Sequence, residues 1–297
     1  MQVVILNYNR PALTLRCAKS VLGQAQVRVD VVVVDNWSNG EQLAELRAGL
    51  PAEVTLVENK ANLGYAAGNN AGLRAKRPAT AFALVLNNDT VLSDPHAIAR
   101  LVEALEGDAT LAACSPLVRD AGLAVRPENS IQVRRIPGFW ELVIVSSGVL
   151  RRLPWLRRVN ERQVYGDLRP FALDAVIPCE TINGSCFLIR TSALEAIGYL
   201  DEGTFLYCEE LILGFQLRSL GLGCALVTRT CVDHEQGASA GRNAAGATAR
   251  GMLRRIRSET YYARKCLGAG GLSVLLIGVV GGLDLACKVV YRSLRRS

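Results

Sequence analysis

The sequence predicts an α/β protein built on a doubly wound, mostly parallel sheet with helices on both faces. Three observations carry that prediction. Strand-like and helix-like segments alternate from residue 2 to about residue 118, at the spacing of right-handed βαβ units. The run VRVDVVVVD (27–35) is too apolar to face water on either side, as expected of a strand buried between two helical layers. Clusters of Asn, Asp and Gly follow successive strand-like runs, where open parallel sheets receive their ligands.

Each element follows from local chemistry. Residues 2–8 (QVVILNY) are apolar and β-branched, which favours a strand. Pro11 opens a helix carrying Leu13, Ala18, Val21 and Leu22; the N–H that proline lacks has no partner in a first turn. After the strand at 27–35 come a helix at 41–49, a strand at 54–57 (VTLV), a helix at 66–76 and a strand at 82–86 (FALVL). A helix over 96–106 and a strand over 110–118 follow. Periodicity fades between 119 and 170, where Pro, Gly, Arg and Trp punctuate the chain. Order returns with a strand at 182–190 (INGSCFLIR) and a short helix capped by Thr191 or Ser192 and ended by Gly198. A helix over about 208–220, stopped by Gly221, and a strand at 223–229 complete the body. Residues 272–291 form a nearly apolar, helical C-terminal segment. These boundaries divide the chain into 1–110, 111–249 and a basic, apolar tail at 250–297.

Composition bounds the function. Half of the 297 residues are apolar and 21% are charged, which excludes disordered and collagen-like chains. The net charge of +7 is segregated: residues 131–170 carry +5, residues 250–297 carry +8, and the rest is net acidic at −6. Nine cysteines show no CxxC and no Cys/His ligand spacing, so reduced, mostly buried thiols are expected. The chain opens on a strand-like run with no basic leader before it, which predicts a cytoplasmic protein.

Candidate ligand-binding residues stand at the strand ends. They are Asn7, Tyr8 and Asn9 after the first strand, and Asp35 and Asn36 after the second. Asn62, Gly64, Gly68, Asn69 and Asn70 follow the third, and Asn87, Asn88 and Asp89 the fourth. Alone, each cluster is ordinary turn chemistry; four at successive strand ends point to a site. The Gly64 segment is neither GxGxxG nor a phosphate loop, so dinucleotide and P-loop readings lack their main support. Asp89 can cap a turn or bind Mg²⁺ or Mn²⁺, which commonly take one or two carboxylates together with substrate phosphates. His96 stands at a helix start, where surface or cap duty is expected.

In order, VVILNYNRP, VVVVDNWS, NLGYAAGNNAG, LVLNNDT, FLYCEE and a late His resemble the inverting family 2 glycosyltransferases, over about residues 2–240. Within them the chain is most similar to the rhamnosyltransferase type of bacterial cell-surface polysaccharide synthesis. The resemblance implies a GT-A fold and a sugar carried on dTDP or UDP, with rhamnose the first guess. It implies donor contacts from Asn7, Asn9, Asp35, Asn36, Asn62, Gly64, Asn69, Asn88 and Asp89. Asp89 would hold Mg²⁺ or Mn²⁺, because Asn87 replaces the first acid of the usual DXD motif. His234, in a stretch running through Gly237 and Ser239 to Arg242, would close over the diphosphate and join the metal. Glu210 would be the catalytic base, with Glu209 orienting it or the acceptor. Many relatives carry a further acid where this chain has Ile212. Asn183, Gly184 and Ser185 would line the acceptor side.

The two basic stretches suggest an address. Arg134, Arg135, Arg151, Arg152, Arg157 and Arg158 are interleaved with Phe139, Trp140, Leu150 and Trp155, which suits an anionic membrane surface. No nucleic-acid recognition motif is present. Residues 272–291 can span a bilayer, lie in its interface, or pack in a homo-oligomer; Asp284, Lys288 and three glycines weigh against a lone span. A saccharide acceptor, free or lipid-linked, and a peripheral position at the inner face of the cell membrane are the corresponding expectations. A non-catalytic nucleotide-sugar-binding or scaffold subunit is the alternative. A nucleotidyltransferase would need a Gly-rich basic loop that Asn7-Tyr8-Asn9-Arg10 does not supply.

Overall fold

The computed structural model describes residues 1–75, 80–120, 132–235 and 245–294. In chain order the first half holds β1 (Gln2–Asn7), α1 (Pro11–Leu22), β2 (Asp30–Asp35), α2 (Gly40–Gly49), β3 (Thr55–Glu58) and α3 (Tyr65–Ala75). It continues with β4 (Phe82–Asn87), β5 (Thr90–Val91), α4 (Ala97–Glu106) and β6 (Leu111–Asp120). The second half holds α5 (Phe139–Ser146), α6 (Arg157–Gln163), β7 (Val176–Cys179), β8 (Cys186–Arg190), α7 (Thr191–Ala196), α8 (Glu209–Ser219) and β9 (Gly223–His234). Two long helices, α9 (Ala245–Leu267) and α10 (Gly271–Leu294), end it.

The described strands form one sheet in the order β3-β2-β1-β4-β8-β6-β9-β5, with β7 also pairing β9. β1, β2, β3 and β4 are parallel; β8 inserts antiparallel between β4 and β6, and β9 runs parallel to β6. The register sets Asn7 opposite Asp35 and Leu6 opposite Asn87, so polar residues cluster at one edge.

Period-two alternation divides the core. Val3, Ile5, Val33, Leu84 and Leu86 pack with Cys17 and Val21 of α1, Leu46 of α2 and Ile98 and Leu101 of α4. Val4, Val32, Val34, Ala83 and Val85 face the other way, onto Ala66 and Leu73 of α3 and Leu213 and Leu217 of α8. Each such burial stabilises by about 1.5–3 kcal/mol. Gly72 lets α3 approach the sheet: a Cβ there would lie 2.6 Å from Val4 Cγ1.

A third core joins the C-terminal helices to α5 and α8. Ile136, Leu142, Val143, Ile212, Tyr262 and Ile277 are among its buried members. Tyr262 Oη donates to Pro137 O at 3.0 Å. Asp284 of α10, 3% exposed, accepts from Gly148 N at 2.6 Å, Ser147 Oγ at 3.1 Å and Val149 N at 3.4 Å.

Several expectations change. The strand expected at 182–190 begins only at Cys186, because the Asn183 side chain folds residues 183–185 into a turn, accepting from Ser185 N at 3.0 Å. The irregular stretch 119–170 contains α5 and α6. β5 is two residues long and β7 contains Pro178, so neither gives a strand signal, and α9 was read only as basic tail. His96 occupies the position before α4 but makes no side-chain cap bond. All nine cysteines are free, six of them buried, with Cys287 exposed.

Candidate active site

The polar edge begins with a buried network. Asn7 Nδ2 donates to Asp35 Oδ1 at 2.7 Å and to Ser38 Oγ at 3.1 Å. Asn7 Oδ1 accepts from Thr14 Oγ1 at 2.7 Å, and Asn88 Nδ2 donates to that hydroxyl at 3.0 Å. Asp35 is 1% exposed, its oxygens also accepting from Ser38 N and Ser38 Oγ. Its carboxylate therefore organises the two loops, whereas their exposed faces are Tyr8 and Trp37, aromatic rings that carry no strand-end signal of their own. Asn9, in the left-handed region at φ 53, accepts from Asn39 N at 2.8 Å and so fixes the entry to α2.

A second set of bonds ties β2 to the loop before α3. Asn36 Nδ2 donates to Asn62 Oδ1 and Gly64 O, and Asn36 Oδ1 accepts from Asn59 Nδ2 and Leu63 N, all at 3.0–3.1 Å. Gly64 has φ +83, and a Cβ on it would lie 2.3 Å from Phe205 O. Only glycine lets this loop touch the segment that leads into α8. Asn69 is buried on α3 and donates to Tyr65 O at 3.0 Å.

Asp89 and His234 meet because β5 pairs antiparallel with the end of β9, setting Thr90 opposite His234. His234 Nε2 lies 3.0 Å from Asp89 Oδ1. Among the described residues no group of three His, Cys, Asp or Glu side chains forms a metal cluster. Residues 236–239 and Arg242 lie outside the described residues.

Glu209 and Glu210 stand in the first turn of α8, entered through Tyr207 and Cys208 at φ 79 and φ 70. Two successive left-handed non-glycine residues store strain, a feature common at functional sites. Glu210 reaches over Gly184, where a Cβ would lie 2.5 Å from Glu210 Oε1. Burial pushes the Glu210 carboxyl up, against the opposing pull of backbone N–H donors and the nearby Arg134 guanidinium. Burial and then the charge of Glu210 push Glu209 up to about 8. Tyr65 Oη donates to Gly184 O at 2.5 Å and pins the turn below Glu210.

A cleft of about 470 Å³ joins these parts. Asn87, His234, Asn183, Gly184, Ser185, Glu209 and Glu210 line it, with Arg134, Arg151 and Arg255. The Asn7–Asp35 network does not. Arg134 and Arg151 belong to the stretch expected at a membrane surface; the structure turns part of that charge into the cleft. Arg135 also lines the cleft, held by Asp167 at 2.7 Å and stacked on Tyr165. Ile212, the departure from an expected acid, is fully buried in the third core, so packing explains it. Tyr65, Arg134, Arg151 and Arg255 were missed because long-range folding brings them to the site.

The family profile described as "Glycosyltransferase like family 2" matches residues 1–258. The N-acetylglucosaminyl-diphospho-decaprenol L-rhamnosyltransferase of Mycobacterium tuberculosis is 26% identical over 253 residues, 82% of this chain and 79% of the relative. Galactofuranosyltransferase GlfT1 of the same organism is 26% identical over 234 residues, 77% of this chain and 67% of the relative. Among solved structures, the mannosyltransferase PcManGT from Pyrobaculum calidifontis, in complex with GDP-Man and Mn²⁺, superposes with a TM-score of 0.59. It is 16% identical, and the match covers 100% of this chain and 75% of that one.

Proposed function

The chain belongs to glycosyltransferase-like family 2 and has the GT-A fold, and from that premise we propose that it is an inverting transferase acting on a lipid-linked saccharide. Its donor would be a dTDP- or UDP-sugar, with rhamnose the first candidate; the similarity to a rhamnosyltransferase named for a diphospho-decaprenol supports rhamnose and the lipid-linked acceptor. One observation carries the reading. A part-buried carboxylate, Glu210, stands in one cleft with the Asn183–Ser185 turn and His234.

The chemistry then follows. An acceptor hydroxyl on the Asn183–Ser185 side attacks the anomeric carbon, its proton passes to Glu210, and the bond from that carbon to the diphosphate breaks on the opposite face. Tyr65 and Gly184 hold Glu210 in place, and Glu209 would orient its neighbour or the acceptor. Asn7, Asn9, Asp35, Asn36, Asn62, Gly64, Asn69 and Asn88 would form and brace the donor-side loops, with Tyr8 and Trp37 offering stacking faces.

A carboxylate beside an imidazole fits a divalent cation that completes its shell with phosphate oxygens, so Asp89 and His234 would hold Mg²⁺ or Mn²⁺. When bound, that ion stabilises charge on the leaving diphosphate.

The apolar stripe of α10 supports a peripheral position at the inner membrane face. Leu272, Leu275, Val279 and Leu283 share one helical face and are exposed, as are Trp140 and Trp155. α10 is long and apolar enough to cross a membrane by length and composition. Asp284, bonded to residues 147–149, instead favours a helix lying along the protein.

The test is product stereochemistry. Incubated with dTDP- and UDP-sugars, Mn²⁺ or Mg²⁺ and a lipid-linked saccharide, the protein is expected to form a linkage of inverted anomeric configuration by NMR, and chelation by EDTA to abolish it. A retained configuration overturns the mechanism.

A further inference from the structure

Both basic stretches of the sequence contribute to one cluster in and beside the cleft. Arg151 and Arg152 come from the first, and Arg255 of α9 and Lys288 of α10 from the second. Arg134 and Arg151 line the same cleft as Glu210, and so does Arg255. The charges lie close enough to repel: burial, then Arg255, Arg151 and Arg152, lower the Lys288 ammonium against the pull of Asp284.

Local acids offset only part of this cluster. Asp284 is engaged by Ser147 and the Gly148 and Val149 amides. Glu259, the one carboxylate beside Arg255, is pushed up by burial, and its Oε1 lies 3.6 Å from Arg255 Nε. That buried Nε makes no hydrogen bond, although the same guanidinium donates to Ser146 O at 2.7 Å. Arg151 and Arg152 form no ion pair with a carboxylate among the described residues, and Arg134 faces Glu210 and Glu259. Such a concentration of cations in and beside a concave cleft favours an anionic ligand.

We propose that Arg134, Arg151, Arg152, Arg255 and Lys288 bind the diphosphate of a polyprenyl-diphosphate-linked acceptor. This rests on the glycosyltransferase reading above and places the two anionic groups of the reaction at opposite ends. The nucleotide diphosphate lies toward Asp89 and His234, and the acceptor diphosphate beyond Glu210. The saccharide then spans the gap across Glu210. The lipid leaves beside Leu142 and Val145 of α5, toward the exposed Trp140 and the apolar stripe of α10. Guanidinium groups suit the task because their fork of donors matches paired phosphate oxygens.

The test is direct binding, which needs no turnover. With the donor site saturated by UDP and Mn²⁺, geranyl diphosphate is titrated calorimetrically into the full-length protein. The wild type is expected to bind it, and to bind inorganic pyrophosphate and geranyl monophosphate more weakly. Arg151→Ala combined with Arg152→Ala is expected to weaken geranyl diphosphate about tenfold or more, since two charge-assisted contacts are lost. Arg158→Ala, on the exposed side of α6, is expected to bind as the wild type does. Unchanged binding in the double variant overturns the assignment, as does geranyl diphosphate that only competes with UDP. Binding of phosphatidylglycerol vesicles without binding of geranyl diphosphate also overturns it and makes the cluster a bilayer contact. Binding of neither UDP nor dTDP by the wild type would instead overturn the donor reading on which the proposal rests.

Discussion

At the scale of residues, the site is a contest between burial and charge at α8. The N-terminus of a helix favours carboxylates by about 0.3–1 kcal/mol at an exposed position. Burial outweighs that for both Glu209 and Glu210. A base must be ionised to accept a proton, and burial raises Glu210, so turnover is expected to rise with pH above the ordinary carboxylate range and then level off. A pH profile that is flat from 6 to 9 would contradict this. The same shift has a stability sign. A carboxyl raised by folding keeps its proton in the folded state after the unfolded state has lost it. Its contribution is full below the ordinary carboxylate range and is lost as pH rises toward about 8. Glu209→Gln, which cannot ionise, is expected to gain on the wild type by about 2–4 °C in Tm between pH 5 and pH 9, for roughly 1 kcal/mol recovered. Differential scanning fluorimetry across pH checks it.

At the scale of elements, the strands were legible because apolar runs bounded by Asn, Asp and Gly admit little else. β1, β2 and β4 start and stop within a few residues of where VVIL, VVVV and FALVL place them. The turn at 183–185 was not legible as a turn, since Asn183 competes with the ladder through its own side chain. Helix α10 was visible by composition, yet its orientation is set by Ile277 in the third core and by the hydrogen bonds of Asp284. Asp284→Ala leaves the Gly148 amide without its acceptor, and is expected to cost about 1–3 kcal/mol and to expose α10 to protease. Limited proteolysis with urea unfolding measures both. The exposed stripe makes a separate prediction. Replacing Leu272, Leu275 and Leu283 by Ser is expected to abolish flotation with phosphatidylglycerol vesicles while leaving the far-UV circular dichroism unchanged. Flotation that survives would place the membrane contact elsewhere.

At the scale of the molecule, the charge pattern has two readings that differ by folding alone. Along the chain, residues 131–170 and 250–297 are separate basic blocks. In three dimensions, Arg134, Arg151 and Arg255 share a wall with Glu210. No local pattern predicts that meeting, because it depends on α9 and α5 packing over α8 through Tyr262, Leu142 and Ile212. The donor edge was more legible, since parallel β-strands bring Asn7, Asp35 and Asn87 together by topology. What sequence alone misjudged there was accessibility: Asp35 is spent on loop architecture. The central claim remains that this fold presents Glu210 to an acceptor hydroxyl. The most direct measurement is transfer by Glu210→Gln, alongside its affinity for the donor nucleotide. The account predicts an unchanged Kd for nucleotide and a turnover lower by about 10²–10⁴-fold. Near-full turnover by a variant that binds nucleotide normally would contradict it.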